Sequence, residues 1–133
     1  MPLIKVAQTF TEMPESMLLY SYKQRETTHM RKIESQMVAA IKSNKDFKVA
    51  NTEVISCTHT SDVYLHGNLI ARIGETWIEL FDGGWQTSTT KSRLNAILSE
   101  FGMSGECVFQ KNFNWFVNYN GSPIPFFSGM RLA

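Results

Sequence analysis

Lys91 and Arg93 lie in the run Thr87-Ser88-Thr89-Thr90-Lys91-Ser92-Arg93, which leads into an apolar period at Leu94, Ile97, Leu98 and Phe101. That spacing of three and four marks one face of a helix, so the run is the helix's first turn and its approach. A helix start exposes unpaired N–H groups and a partial positive charge, and acidic side chains are the ones it favours. Here the charged groups are cations and their neighbours are hydroxyls. Cations, hydroxyls and backbone N–H groups meeting at a helix start are suited to holding a phosphate. Trp85, just upstream, supplies a ring able to stack on a base. The candidate site is therefore Trp85, Thr87, Ser88, Thr89, Thr90, Lys91 and Arg93, with the phosphate backbone of DNA or RNA as partner. Viewed down the helix, Lys91 and Arg93 flank the apolar stripe on opposite sides, which predicts that both are partly exposed. The plainer alternative is a pair of tolerated surface cations, because the helix dipole is worth less than about 1 kcal/mol at exposed sites.

Other chemistry is weaker. Cys57, His59, His66 and Cys107 are the candidate metal ligands, but their spacing matches no zinc pattern. The two cysteines are expected to be small buried hydrophobes within strands rather than a disulfide. Ser56, His59, Ser61 and Asp62 are close along the chain, which says nothing about triad geometry, and there is no Gly-x-Ser-x-Gly turn or Walker loop. No cofactor is implied, and the chain is expected not to be an enzyme. With 133 residues, 43% hydrophobic and 19% charged, it reads as one globular domain. A formal net charge of +1 excludes a global basic field, so nucleic-acid contact would have to come from local clustering. No apolar run is long enough to span a membrane, and the start does not read as a secretory signal, which points to the host cytoplasm.

The elements that would position these groups follow from periodicity. Residues 1–29 read as an N-terminal extension, with Pro14 suited to a first helical turn. Residues 30–133 read as a single domain. Its first helix is capped by Thr27 or Thr28 and buries Met30, Ile33, Met37 and Ile41. Strands follow at Glu53–Thr58, Asp62–His66, Leu69–Ile73 and Thr76–Phe81, with Gly67-Asn68 and Gly74-Glu75 as turns. The second helix ends at Gly102. A hairpin of Glu106–Lys111 and Phe113–Tyr119 comes next, in which Phe113, Trp115, Val117 and Tyr119 share a face. After Asn120-Gly121, Pro123 and Pro125 permit only an edge strand or an extended tail. The expected fold is α+β: an antiparallel meander sheet with two helices packed on one face and a C-terminal β-hairpin.

Two stretches, Val63-Tyr64-Leu65-His66-Gly67-Asn68-Leu69-Ile70-Ala71 and Gly84-Trp85-Gln86-Thr87-Ser88-Thr89-Thr90-Lys91-Ser92-Arg93-Leu94-Asn95-Ala96-Ile97-Leu98, resemble a family of small tailed-bacteriophage proteins. The resemblance extends to Phe109-Gln110-Lys111 and to Pro125-Phe126-Phe127-Ser128-Gly129-Met130, and so runs from about Met30 to the C-terminus. It implies a phage setting and transfers no catalytic residue. The leading expectation is then a non-enzymatic phage accessory protein binding nucleic acid at the second helix start. The competing one is a protein-interaction module: an inhibitor of a host enzyme or defence complex, or a virion or assembly component. Its motive is the aromatic set Phe109, Phe113, Trp115, Phe116, Phe126 and Phe127, whose two-sided placement calls for a cover from the N-terminal extension or from a second subunit in a homo-oligomer.

Overall fold

The computed structural model describes residues 30–133. The expectations for residues 1–29, including the helix start at Pro14, lie outside them; the cap expected at Thr27 or Thr28 is instead at Arg31, whose backbone N–H donates to Glu34, so Met30 precedes the helix. The described chain runs α1 (Lys32–Lys42), β1 (Phe47–Val49), β2 (Thr52–Ser56), β3 (Ser61–Leu65), β4 (Asn68–Ile73), β5 (Ile78–Leu80), α2 (Ser88–Phe101), β6 (Cys107–Lys111), β7 (Asn114–Tyr119), β8 (Ser122–Pro125) and β9 (Met130–Leu132). All pairings are antiparallel. One sheet has the order β1-β2-β3-β4-β5-β9, and a smaller one has β6-β7-β8. This is an α+β fold built on a meander, and none of its described helices is long and apolar enough to cross a membrane.

The large sheet buries one face. Val54, Val63, Leu65, Ile73, Ile78, Leu80, Met130 and Leu132 point to the core, as alternation requires. Ile70 and Ala71 are adjacent yet both buried. The β3–β4 register shifts beside them, where Val63 pairs with Ala71 and Tyr64 with Leu69, so one extra residue turns inward. The opposite face carries cross-strand ion pairs between register partners, Arg72–Asp62 at 3.3 Å and Arg131–Glu79 at 2.8 Å. Helix α1 packs on β1 and β2, whereas α2 packs against β4 of the large sheet and β6 of the small one. The hydrophobic core therefore lies between the helices and both sheets.

Several details differ from the sequence expectation. The β3–β4 turn is His66-Gly67, both at positive φ, because Leu65 pairs with Asn68. Cys57 lies outside the strands and is exposed, whereas Cys107 is buried. Gly102 does cap α2, but at φ −84° it is not left-handed. Its requirement is space: a Cβ there would come within 2.7 Å of the Leu98 carbonyl and of Glu106 Oε1. The prolines sit in β8, an edge strand, as their missing N–H groups demand. Strands β1 and β9 were not anticipated. Each is three residues long, too short for alternation to register.

The β6–β7 hairpin holds the largest departure. Lys111 pairs with Asn114, leaving Asn112-Phe113 as a two-residue turn. Both are at positive φ, 53° and 68°. A turn of this kind favours Asn at its first position and Gly at its second. A phenylalanine there carries a left-handed backbone cost of about 1–2 kcal/mol. Contrary to the sequence expectation, Phe113 does not share the strand face of Trp115 and Val117; it stands at the tip, 92% exposed.

Candidate functional site

The run does form the start of a helix, as predicted, and the structure adds that Thr87 is the N-cap of α2, with no acidic residue in the first turn. Its hydroxyls, however, serve the cap itself. Thr87 Oγ1 accepts from Thr90 N at 3.1 Å, the two threonine hydroxyls share a 3.0 Å hydrogen bond, and Thr90 Oγ1 donates to the Trp85 carbonyl at 3.4 Å. Thr90 is buried, Thr89 half-buried, and Thr87 and Ser88 exposed.

Arg93 overturns the expected exposure. It is 3% exposed and lies inside the protein. Its Nη1 donates to Glu34 Oε2 at 2.7 Å, its Nε to Thr52 Oγ1 at 3.0 Å and its Nη2 to Asn51 Oδ1 at 3.4 Å. Glu34 is equally enclosed, and it also accepts from Ser92 Oγ at 2.6 Å and from the Arg31 backbone N–H at 3.0 Å. One buried carboxylate and one buried guanidinium thus join α1, α2 and β2, and the surrounding hydroxyl, amide and N–H groups satisfy them. The reason Arg93 turns inward is that Glu34 is already there: a buried anion needs a paired cation with its hydrogen bonds filled. Arg93 is therefore a structural residue and is removed from any docking surface.

Lys91 stays half-buried at the rim. Its Nζ donates to Gln110 Oε1 at 3.3 Å and sits 5.9 Å from the Trp115 ring centroid. With Ser88, Arg31, Asn95 and Gln110 it lines a cleft of about 360 Å³ between α1, α2 and β6. Asn95 is fully engaged there, because its side-chain amide both donates to the Val108 carbonyl at 2.9 Å and accepts from the Val108 N–H at 2.7 Å. It occupies the edge of β6 as a further strand would.

The remaining members of the predicted set, Trp85, Thr87, Thr89 and Thr90, line a different cleft of about 370 Å³ with His66 and Asn68. The seven candidate residues are thus divided among two clefts and the interior. Trp85 is 72% exposed, on a loop whose shape is set by Asp82. The Asp82 carboxylate accepts from Gly84 N at 2.8 Å and from Gln86 Nε2 at 3.3 Å. It also accepts from Ser128 Oγ at 3.2 Å, and the Ser128 oxygen in turn accepts from Asp82 N at 2.9 Å. Ser128 follows Phe127, which is 61% exposed. Two loops, each presenting a large ring to solvent, are therefore tied to one carboxylate.

Asp82, Ser128 and Glu34 escaped the sequence reading. Asp82 and Ser128 are 46 residues apart, and nothing local couples them. Glu34 did carry a signal. Glu34, Met37, Val38 and Ile41, the buried residues of α1, stand at i, i+3, i+4 and i+7. Thr90, Arg93, Leu94, Ile97 and Leu98 repeat the same period in α2. A charge on the apolar stripe of each helix, of opposite sign, is the pattern of a buried pair.

Two further polar features complete the description. Among the described residues no three His, Cys, Asp or Glu side chains gather as a metal ion would require. Glu106 is buried and accepts from the Met103 N–H at 2.9 Å. Desolvation raises its pKa above the ordinary glutamate value, and the Met103 hydrogen bond opposes that rise.

Comparison with known proteins places these features in a family. The family model described as Kyanoviridae Gp96 protein matches residues 30–133. No curated protein and no solved structure matches.

Proposed function

We propose, for a chain that belongs to the Kyanoviridae Gp96 protein family over residues 30–133, that it is a non-enzymatic phage accessory protein whose work is to bind another protein. The observation that supports this reading is the exposure of Trp85 and Phe127 on two loops tied together at Asp82. Exposed aromatic rings on pinned loops are the side chains that dominate protein interfaces, because they bury much area at little cost in rotamer entropy. Phosphate contact at the α2 start ranks behind it. Of the two cations that motivated it, Arg93 is paired inside, leaving Lys91. A single phosphate contact gives a salt slope near 1 and little affinity.

The test is affinity capture from infected cells with the full chain as bait, after nuclease treatment. A stoichiometric partner should be retained by the native chain. The double variant Trp85→Ser, Phe127→Ser should release it while keeping its far-UV spectrum. Retention that disappears with nuclease and with Lys91→Glu would instead favour nucleic acid, and a partner held equally by the double variant would remove the Trp85–Phe127 surface from consideration.

A further inference from the structure

We infer that the tip of the β6–β7 hairpin is an anchor: the Phe113 ring inserts into an apolar pocket on a protein partner whose rim is acidic. The inference rests on the protein-binding reading above and adds a contact that the Trp85–Phe127 surface does not include.

Three observations carry it. Phe113 is 92% exposed. It is held at φ +68°, a left-handed backbone that a bulky side chain rarely adopts and that glycine would take freely. Among the described residues it opposes no strand residue, since the register closes at Lys111 and Asn114 behind it. The ring therefore adds nothing to the core of the described residues and opposes the turn that holds it. Strain of this kind gathers where a protein makes functional contacts, so the outlier directs attention to a use for the ring outside the fold.

The hairpin also presents the ring in a fixed way. Asn114 Nδ2 donates to the Asn112 carbonyl at 3.2 Å across the turn. Behind it, Phe109 and Phe116 stack at 5.7 Å as cross-strand partners, stiffening the stem. A preorganised ring loses little freedom on binding.

The chemistry of the tip selects the class of partner. Lys111 is the only charged residue from Cys107 to Tyr119, and Asn112 and Asn114 flank the ring. One cation and two amides around an aromatic ring complement an apolar pocket with carboxylates at its edge. A single-stranded nucleic acid would call for a cationic track along its backbone, which this hairpin lacks. A lone ring is also too small an apolar group to hold a protein on a bilayer, where even a myristoyl chain binds only marginally.

The experiment places the photoreactive phenylalanine analogue p-benzoyl-phenylalanine at position 113 of the full chain in infected cells, with a control at Asn120, the exposed turn residue of the next hairpin. One discrete protein adduct at 113 and none at 120 is expected. The adduct partner is then purified and titrated against native, Phe113→Gly and Trp85→Ser, Phe127→Ser chains. Phe113→Gly should weaken binding tenfold or more while raising the midpoint of thermal unfolding, because it relieves the turn. An adduct sensitive to nuclease, an adduct to lipid, an adduct to residues 1–29 of the same chain or to a second copy of it, or no adduct at all overturns the inference. So does a Phe113→Gly chain that binds as tightly as the native one. If binding depends on Trp85 and Phe127 but not on Phe113, the anchor fails and the proposed function stands.

Discussion

The first turn of α2 and the tip of the β6–β7 hairpin use their side chains in opposite directions. At the helix start, the groups that look chemical are turned to internal duty: Thr87 and Thr90 close the cap, and Arg93 neutralises Glu34 in the interior. At the tip, a ring of the kind that normally fills a core is left in water on a strained backbone. Residue type misleads in both places for one reason. A cation faces solvent only if no buried anion claims it, and an aromatic ring is buried only if its strand register carries it inward. The internal region should then be sensitive to substitution through stability, and the tip through binding.

The sharpest way to break that contrast is at Arg93. Arg93→Ala leaves Glu34 buried without its cation and should cost about 3–5 kcal/mol of unfolding free energy, measured by urea titration. The joint replacement Glu34→Leu, Arg93→Met should recover much of that loss, since a buried pair exchanged for apolar groups is often neutral. A near-silent Arg93→Ala would return the guanidinium to the surface and revive the phosphate reading.

Thr87→Ala comes next. It removes the cap acceptor for the Thr90 N–H and should cost about 1 kcal/mol in the same assay. Loss of partner binding in this variant, at unchanged stability, would mean that the hydroxyl belongs to the docking surface after all.

The smallest effect concerns Glu106, a third polar group turned inward. Its folded pKa is raised, so between the ordinary glutamate value and the raised one the native state holds more protons than the unfolded state. Stability should then fall as pH rises through that window and level off above it. Glu106→Gln keeps an oxygen for the Met103 N–H and should abolish the slope, so the variant is the more stable one at neutral pH. Urea midpoints at a series of pH values check the sign, and a native chain that gains stability across the window refutes it.

Much of the fold was legible along the chain. The alternation of β2 to β4, the stripe of α2 and the edge position forced by Pro123 and Pro125 are local patterns set by pleat, pitch and a missing N–H. The candidate site was legible only in part. The N-cap role of Thr87 follows from a hydroxyl before an apolar period, and Trp85 does stand exposed beside it. The fate of Arg93 could have been inferred from Glu34, because both lie on the apolar periods of their helices; treated singly, each looks like an ordinary surface charge. The turn at Asn112-Phe113 was not legible, because a bulky aromatic residue argues against the backbone it adopts.

Within residues 30–133, the sequence by itself determined the α+β class, helices α1 and α2, the antiparallel meander and the hairpin, since each depends on contacts between near neighbours. Only the tertiary structure decided that Glu34 and Arg93 meet across 59 residues, that Asp82 ties the Trp85 loop to Ser128, and that β9 returns to pair with β5. Those contacts join segments far apart along the chain. They form where packing brings opposite charges, or an open strand edge and a matching partner, to the same place.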